Sequence, residues 1–206
     1  MKRMFIPLLI LFPLLMHAKT PHLKYVSPNP TVAVNKNVKN DANEARKYTT
    51  VIGIQDLHST HATNFKGVEL AENYHLSPKF SLGLGAEYSW CGYHFDNGYN
   101  LTDLRFLPVY ADSKMNLTTG KAVTPFLHLS AGVSFANYKK QDAFSPGPIT
   151  HVSEQGFYIY SGGGVSFKIS RHLHSYFDLG FKGYHMSLNA LDINPHGVTT
   201  KLGLEF

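Results

Sequence analysis

Phe80–Trp90 reads FSLGLGAEYSW and alternates without a slip. Phe80, Leu82, Leu84, Ala86, Tyr88 and Trp90 take one parity, and Ser81, Gly83, Gly85, Glu87 and Ser89 the other. Successive side chains of a pleated strand point to opposite sides, so the stretch is a strand with one wholly apolar face. In a protein surrounded by water that face would form the core; in a membrane barrel it would form the outside. Deciding between the two decides the class of function.

The same alternation recurs through the chain after residue 48. Candidate strands are Tyr48–His58, Lys66–Leu76, Phe80–Trp90, Asp103–Leu117, Val123–Tyr138, Gly156–Ile169, Leu173–Leu188 and Val198–Phe206, an even number. Val123, Pro125, Leu127, Leu129, Ala131, Val133 and Phe135 oppose Thr124, Phe126, His128, Ser130, Gly132 and Ser134. Val198, Thr200, Leu202, Leu204 and Phe206 likewise oppose Thr199, Lys201, Gly203 and Glu205. Glu72 interrupts the second strand, where a bulge or register shift is expected. Connections alternate in length: Ser77–Lys79, Thr118–Ala122 and Ser170–His172 are tight, whereas the others are longer, Lys139–Gln155 longest of all. A meander puts every tight turn at one end and every long loop at the other, the asymmetry of outer-membrane barrels.

The face opposite the apolar one collects Glu87, Arg105, Asp112, Lys114, Lys168, Asp178, Lys182, Lys201 and Glu205, together with Gly83, Gly85, Gly132, Gly162, Gly164, Gly180 and Gly203. Glycine weakens a strand, so a solvated face has little reason to gather it, while a narrow lumen uses it to relieve crowding beside long charged side chains. Tyr88, Trp90, Phe135, Tyr138, Phe157 and Tyr184 fall near the long-loop ends, with Phe80 and Phe206 at the other end, as two interfacial girdles would. The apolar parity therefore looks at lipid. The expected fold is all-β, an eight-stranded antiparallel up-and-down transmembrane β-barrel over 48–206, with mixed-sign lumen charges paired into networks and no wide pore.

The ends of the chain and its composition agree. Lys2 and Arg3 precede an apolar run, Met4–Met16, and Ala18, so residues 1–18 read as a secretory signal peptide and 19–47 as a flexible polar periplasmic lead-in. Without Lys2 and Arg3 the remaining cations exceed the 14 acids by only 3, so nucleic acid is not expected as a partner. Cys91 is the single cysteine, which leaves no internal disulfide. Outer-membrane location, contact with outer-membrane lipids and a monomeric state are expected.

The stretches YHLSPKFSLGLGAEYSW (Tyr74–Trp90), LPVYADSKMNL (Leu107–Leu117), VTPFLHLSAGVSF (Val123–Phe135), FYIYSGGGVSFKIS (Phe157–Ser170) and the terminal KLGLEF resemble the eight-stranded outer-membrane β-barrel domain family common in Bacteroidota. The resemblance implies an integral outer-membrane protein, and a last strand ending in Phe206 implies recognition by barrel-assembly machinery. It supplies no catalytic, cofactor or metal residues. One enzymatic alternative stands on the lumen parity: His128 and Ser130 share it and Asp142 follows in the next loop, an arrangement that looks like that of lipid A deacylases. A lumen-facing serine would not meet an acyl chain in the bilayer, and inward His and Ser are also explained by lumen hydrogen bonds, so no enzyme is expected. A soluble periplasmic calyx would need the opposite assignment of faces. His58 with His61, and His172 with His174, are too few donors for a zinc site.

Overall fold

The computed structural model describes residues 47–60, 63–96, 98–145, 147–186 and 194–206. The expected signal peptide, 1–18, and all but Lys47 of the expected lead-in, 19–47, lie outside the described residues, as does His61. Eight strands follow one another: β1 (Tyr48–Ser59), β2 (Asn64–Ser77), β3 (Phe80–Asp96), β4 (Tyr99–Asn116), β5 (Val123–Asp142), β6 (Thr150–Lys168), β7 (His174–His185) and β8 (His196–Glu205). Each pairs antiparallel with its sequence neighbour, and β1 pairs with β8, so the sheet closes and leaves no edge.

The register fixes how far the strands lean. The line of partners Thr50, Glu72, Leu84, Ala111, Ala131, Ile159, Gly183 and His196 runs once around the barrel. It returns to β1 beside Thr60, whose N–H donates to the His196 carbonyl at 2.9 Å, ten residues beyond its start. Eight strands with that stagger tilt by about 40° and rise about 2.5 Å per residue along the barrel axis.

The apolar parity faces outward. Leu82, Leu84, Leu127, Leu129, Val109, Val133, Ile159, Leu179 and Leu202 are exposed, while Glu87, Lys182 and Lys201 of the opposite parity are 1%, 0% and 0% exposed. A water-soluble calyx would invert these figures. Outward Trp90, Phe135 and Phe157 stand at the upper rim of the apolar belt and Phe206 at the lower, as girdles require. Tyr138 and Tyr184 do not join them: both are buried in the lumen, on the inward parity of β5 and β7.

Three other expectations are corrected. Arg105 is exposed on the outward face, because it shares parity with Leu107 and Val109 rather than with Asp112. Lys168 has inward parity but sits at the open end of β6 and is exposed. Glu72 causes no bulge: β1 and β2 pair without interruption from Tyr48↔Tyr74 to His58↔Asn64, and the outward Glu72 carboxylate accepts the Thr50 hydroxyl at 2.6 Å. The register shift expected in the second strand is present, but it falls beyond Glu72, between His75 and Ser77 where β2 pairs with β3, and a second irregularity falls between Thr102 and Arg105. At the second, Asp103 takes a φ of 55°, and the buried positions Leu101 and Leu104 stand three residues apart.

The long connections are mostly strand. β3 and β4 continue past the belt as far as Asp96 and from Tyr99, with Gly98 at φ 84° before β4. β5 and β6 likewise run into Lys139–Gln155, leaving 143–149 between them. The asymmetry between the two ends is real but is carried chiefly by ladders that project beyond the bilayer. Above the belt Asp142 ends β5, where its carboxylate accepts the backbone N–H groups of Ser145 at 2.8 Å and Phe144 at 2.9 Å. These two amides hold it below the ordinary aspartate range.

Candidate functional site

The lumen is where chemistry could reside, and its contents are stacked along the barrel axis. At the long-loop end an apolar plug of Leu57, Phe65, Leu101, Leu104, Phe106 and Met186 is almost wholly buried. Phe106 packs edge-on against Phe65 at 5.4 Å between ring centroids and, tilted, against Tyr184 at 4.8 Å.

Beneath the plug lie ion pairs between strands far apart in sequence. Lys182 Nζ donates to Glu87 Oε2 at 2.8 Å and also to Gln55 Oε1, with both charged side chains fully buried. Tyr184 donates its hydroxyl to the other Glu87 oxygen at 2.8 Å. Lys201 Nζ donates to Glu69 Oε2 at 2.6 Å, and Tyr176 donates to Glu69 Oε1 at 2.6 Å. Lys114 pairs with Glu205, which also accepts from Ser166 at 3.1 Å. Every carboxylate here meets a cation and a hydroxyl, which is the condition under which buried charges are tolerated. Two glycines make room: a Cβ on Gly85 would strike the Tyr110 ring, and one on Gly203 would lie 2.6 Å from the Tyr176 hydroxyl.

Between these pairs sits His128. Its Nδ1 lies 2.6 Å from Asp178 Oδ2 and its Nε2 lies 2.7 Å from Asp112 Oδ1. Ser130 donates to the same Asp112 oxygen at 2.7 Å, and Asn73 donates to Asp112 Oδ2 at 3.0 Å. The deacylase-like grouping is thus corrected: Asp142 stands at the rim, and Asp112 and Asp178 take its place. Ser130 Oγ is 3.2 Å from His128 Nε2, which with Asp178 outlines a Ser–His–Asp geometry. Nε2 also faces Asp112, so both ring nitrogens lie against carboxylate oxygens, and the Ser130 hydroxyl is donated to Asp112 rather than held by the ring alone. Ser130 is only 1% exposed.

At the short-turn end the lumen opens as a vestibule of about 530 Å³ walled by Asn73, His75, Ser81, Lys114, Arg171 and Glu205. Beyond it a void of only about 20 Å³ reaches His128 and Asp178. No group of three or more metal-ligating side chains occurs among the described residues, and His174 contributes to the vestibule wall. The lumen face read from sequence includes the network members Glu87, Asp112, Lys114, Asp178, Lys182, Lys201 and Glu205 but leaves out Glu69 and Gln55. Their signal is the inward parity of Gln55 with Leu57, and of Glu69 with Phe65, Gly67, Ala71 and Asn73.

A closed, outwardly apolar barrel of eight meandering strands is the fold of the small outer-membrane β-barrels. The chain is similar in structure to a major outer membrane protein from Thermus thermophilus, with a TM-score of 0.58 at 12% identity over 78% of this chain and 98% of that one. It is similar also to Neisserial surface protein A, with a TM-score of 0.51 at 11% identity over 77% of this chain and 94% of that one. No protein-family model and no curated protein matches the sequence. At these identities the likeness is one of fold.

Proposed function

We propose that the protein is an integral outer-membrane β-barrel of the Bacteroidota type with a structural or surface-interaction role, and neither a wide pore nor an enzyme. The observation that carries this reading is the lumen itself: Glu87, Lys182, Glu69 and Lys201 are sealed beneath an apolar plug. A channel needs water along its axis, and wide diffusion pores are built from ~16 strands. Surface interaction is supported by the projecting ladders of β3–β4 and β5–β6, which hold polar groups and the exposed Phe144 clear of the belt. Partners on this reading are outer-membrane lipids along the belt and barrel-assembly machinery.

Planar-bilayer conductance of the refolded protein tests it. The expected record shows no stable openings of porin size, and reproducible large steps would overturn the reading. Carbonate extraction of membranes should leave the protein in the pellet; release into the supernatant would remove the barrel altogether.

A further inference from the structure

Asp56 and Lys66 are outward-facing cross-strand partners on β1 and β2, both exposed. Asp56 lies two residues beyond Ile54, hence about 5 Å higher on the barrel, and Lys66 lies about 3 Å higher again because the partner line climbs. Trp90, the next partner of Lys66, marks the upper rim of the belt, so both charges stand within it. Neither has an oppositely charged partner within 4.0 Å among the described residues, although the lysine–glutamate pairs of the lumen close to 2.6–2.8 Å. At the same height other faces of the barrel present Val109, Val133, Ile159 and Phe181. A charge turned toward acyl chains is costly, least so near the interface for a lysine able to snorkel, and with no such escape for a short aspartate.

The surroundings resemble an interface. Because the strands tilt, a stripe parallel to the barrel axis crosses from Leu204 and Leu202 on β8 through Ile54 on β1 to Asp56 and Lys66. The three apolar residues are 39%, 48% and 60% exposed. Thr200, the β8 partner of Asp56, continues the polar cap. This is an apolar centre with a charged rim. It is also self-complementary. A two-fold axis along the membrane normal, placed beside this stripe, exchanges left and right while preserving depth. Asp56 of one copy then meets Lys66 of the other, twice, with Ile54 and Leu202 packed between.

We infer that the β8–β1–β2 face is the contact surface of a homodimer in the membrane, held by the reciprocal Asp56–Lys66 pairs. This departs from the monomer expected from sequence. It rests on the apolar parity facing lipid, and the two fail separately: carbonate release would sink the barrel, a monomer in bilayers only the dimer.

The test is energy transfer between donor- and acceptor-labelled full-length protein in phosphatidylcholine–phosphatidylglycerol vesicles, measured over a range of lipid dilution, with heat-modifiable gel migration confirming that each variant is folded. Asp56→Lys and Lys66→Asp should each weaken association at least tenfold, and the milder Lys66→Gln should weaken it severalfold. The double reversal, Asp56→Lys with Lys66→Asp, should restore association to within about threefold of the parent. A parent that is monomeric at every dilution, single reversals that leave association unchanged, or a double reversal no better than the singles would each overturn the proposal.

Discussion

Removing the Lys182 ammonium is the most direct probe of the sealed lumen. In Lys182→Met the Glu87 carboxylate keeps the Tyr184 hydroxyl at 2.8 Å and loses its counter-ion at the same distance, while remaining fully buried. Breaking a buried pair from one side costs about 3–5 kcal/mol, since the stranded charge has no water to return to. That is a large share of the 5–15 kcal/mol stability typical of a folded domain. Glu87→Leu should cost a similar amount by stranding Lys182. Replacing both charges at once removes the stranded ion, and such neutral replacements are near neutral or stabilising. The cycle should therefore give a coupling energy of at least ~3 kcal/mol. Trp90 is the single tryptophan and stands at the lipid-facing rim, so urea unfolding from vesicles can be followed by its emission. A Lys182→Met loss below ~1 kcal/mol, or a double variant whose loss equals the sum of the singles, would refute the claim that these charges are sealed and mutually dependent.

Gly132→Val should prevent folding or cost more than ~2 kcal/mol, because its Cβ would overlap the Val109 carbonyl oxygen and sit 2.5 Å from Tyr110 Cα, both fixed backbone; loss of heat-modifiable migration would show it. Ser130→Ala should leave lipid A acylation unchanged in membranes containing the protein, and should lower stability by about 1 kcal/mol through loss of the Asp112 hydrogen bond. The Asp142 carboxyl is depressed by its two amide partners, so the 142–145 turn should be ordered at neutral pH and loosen as pH falls below the ordinary aspartate range. Amide exchange at Ser145 that is indifferent to pH after correction for intrinsic rates would contradict this.

Much of this architecture is written in two-residue periodicity. The alternation in Phe80–Trp90 and Val123–Phe135 settles which side of each strand is greasy, and eight such segments joined by alternately tight and long connections settle the meander. What periodicity does not encode is stagger. Whether Lys182 meets Glu87 or Asp178 depends on the ten-residue climb around the closed sheet, a property of closure and of no single strand. Asp103 hides its bulge for a related reason: a polar residue above the belt obeys no parity, so a slipped beat leaves no hydrophobic mismatch to read. The ladders beyond residues 90 and 138 are concealed in the same way, since their polar sequences alternate against nothing. Glu72 misleads by its charge alone, because Thr50 on the neighbouring strand satisfies it across the sheet.

The counter-ions of the lumen are separated along the chain by 91, 95 and 132 residues, and Lys114, Lys182 and Lys201 each reach across the hollow. None of these contacts exists while the sheet is an open ribbon, so a half-assembled protein carries unneutralised charge on the surface that must turn inward as the first and last strands zip. Long-range pairing of this sort is slow and repays nothing until it is complete. Closure is consequently the committing step of biogenesis, and the same polar column that makes the finished wall watertight makes partly inserted forms intolerant of the bilayer.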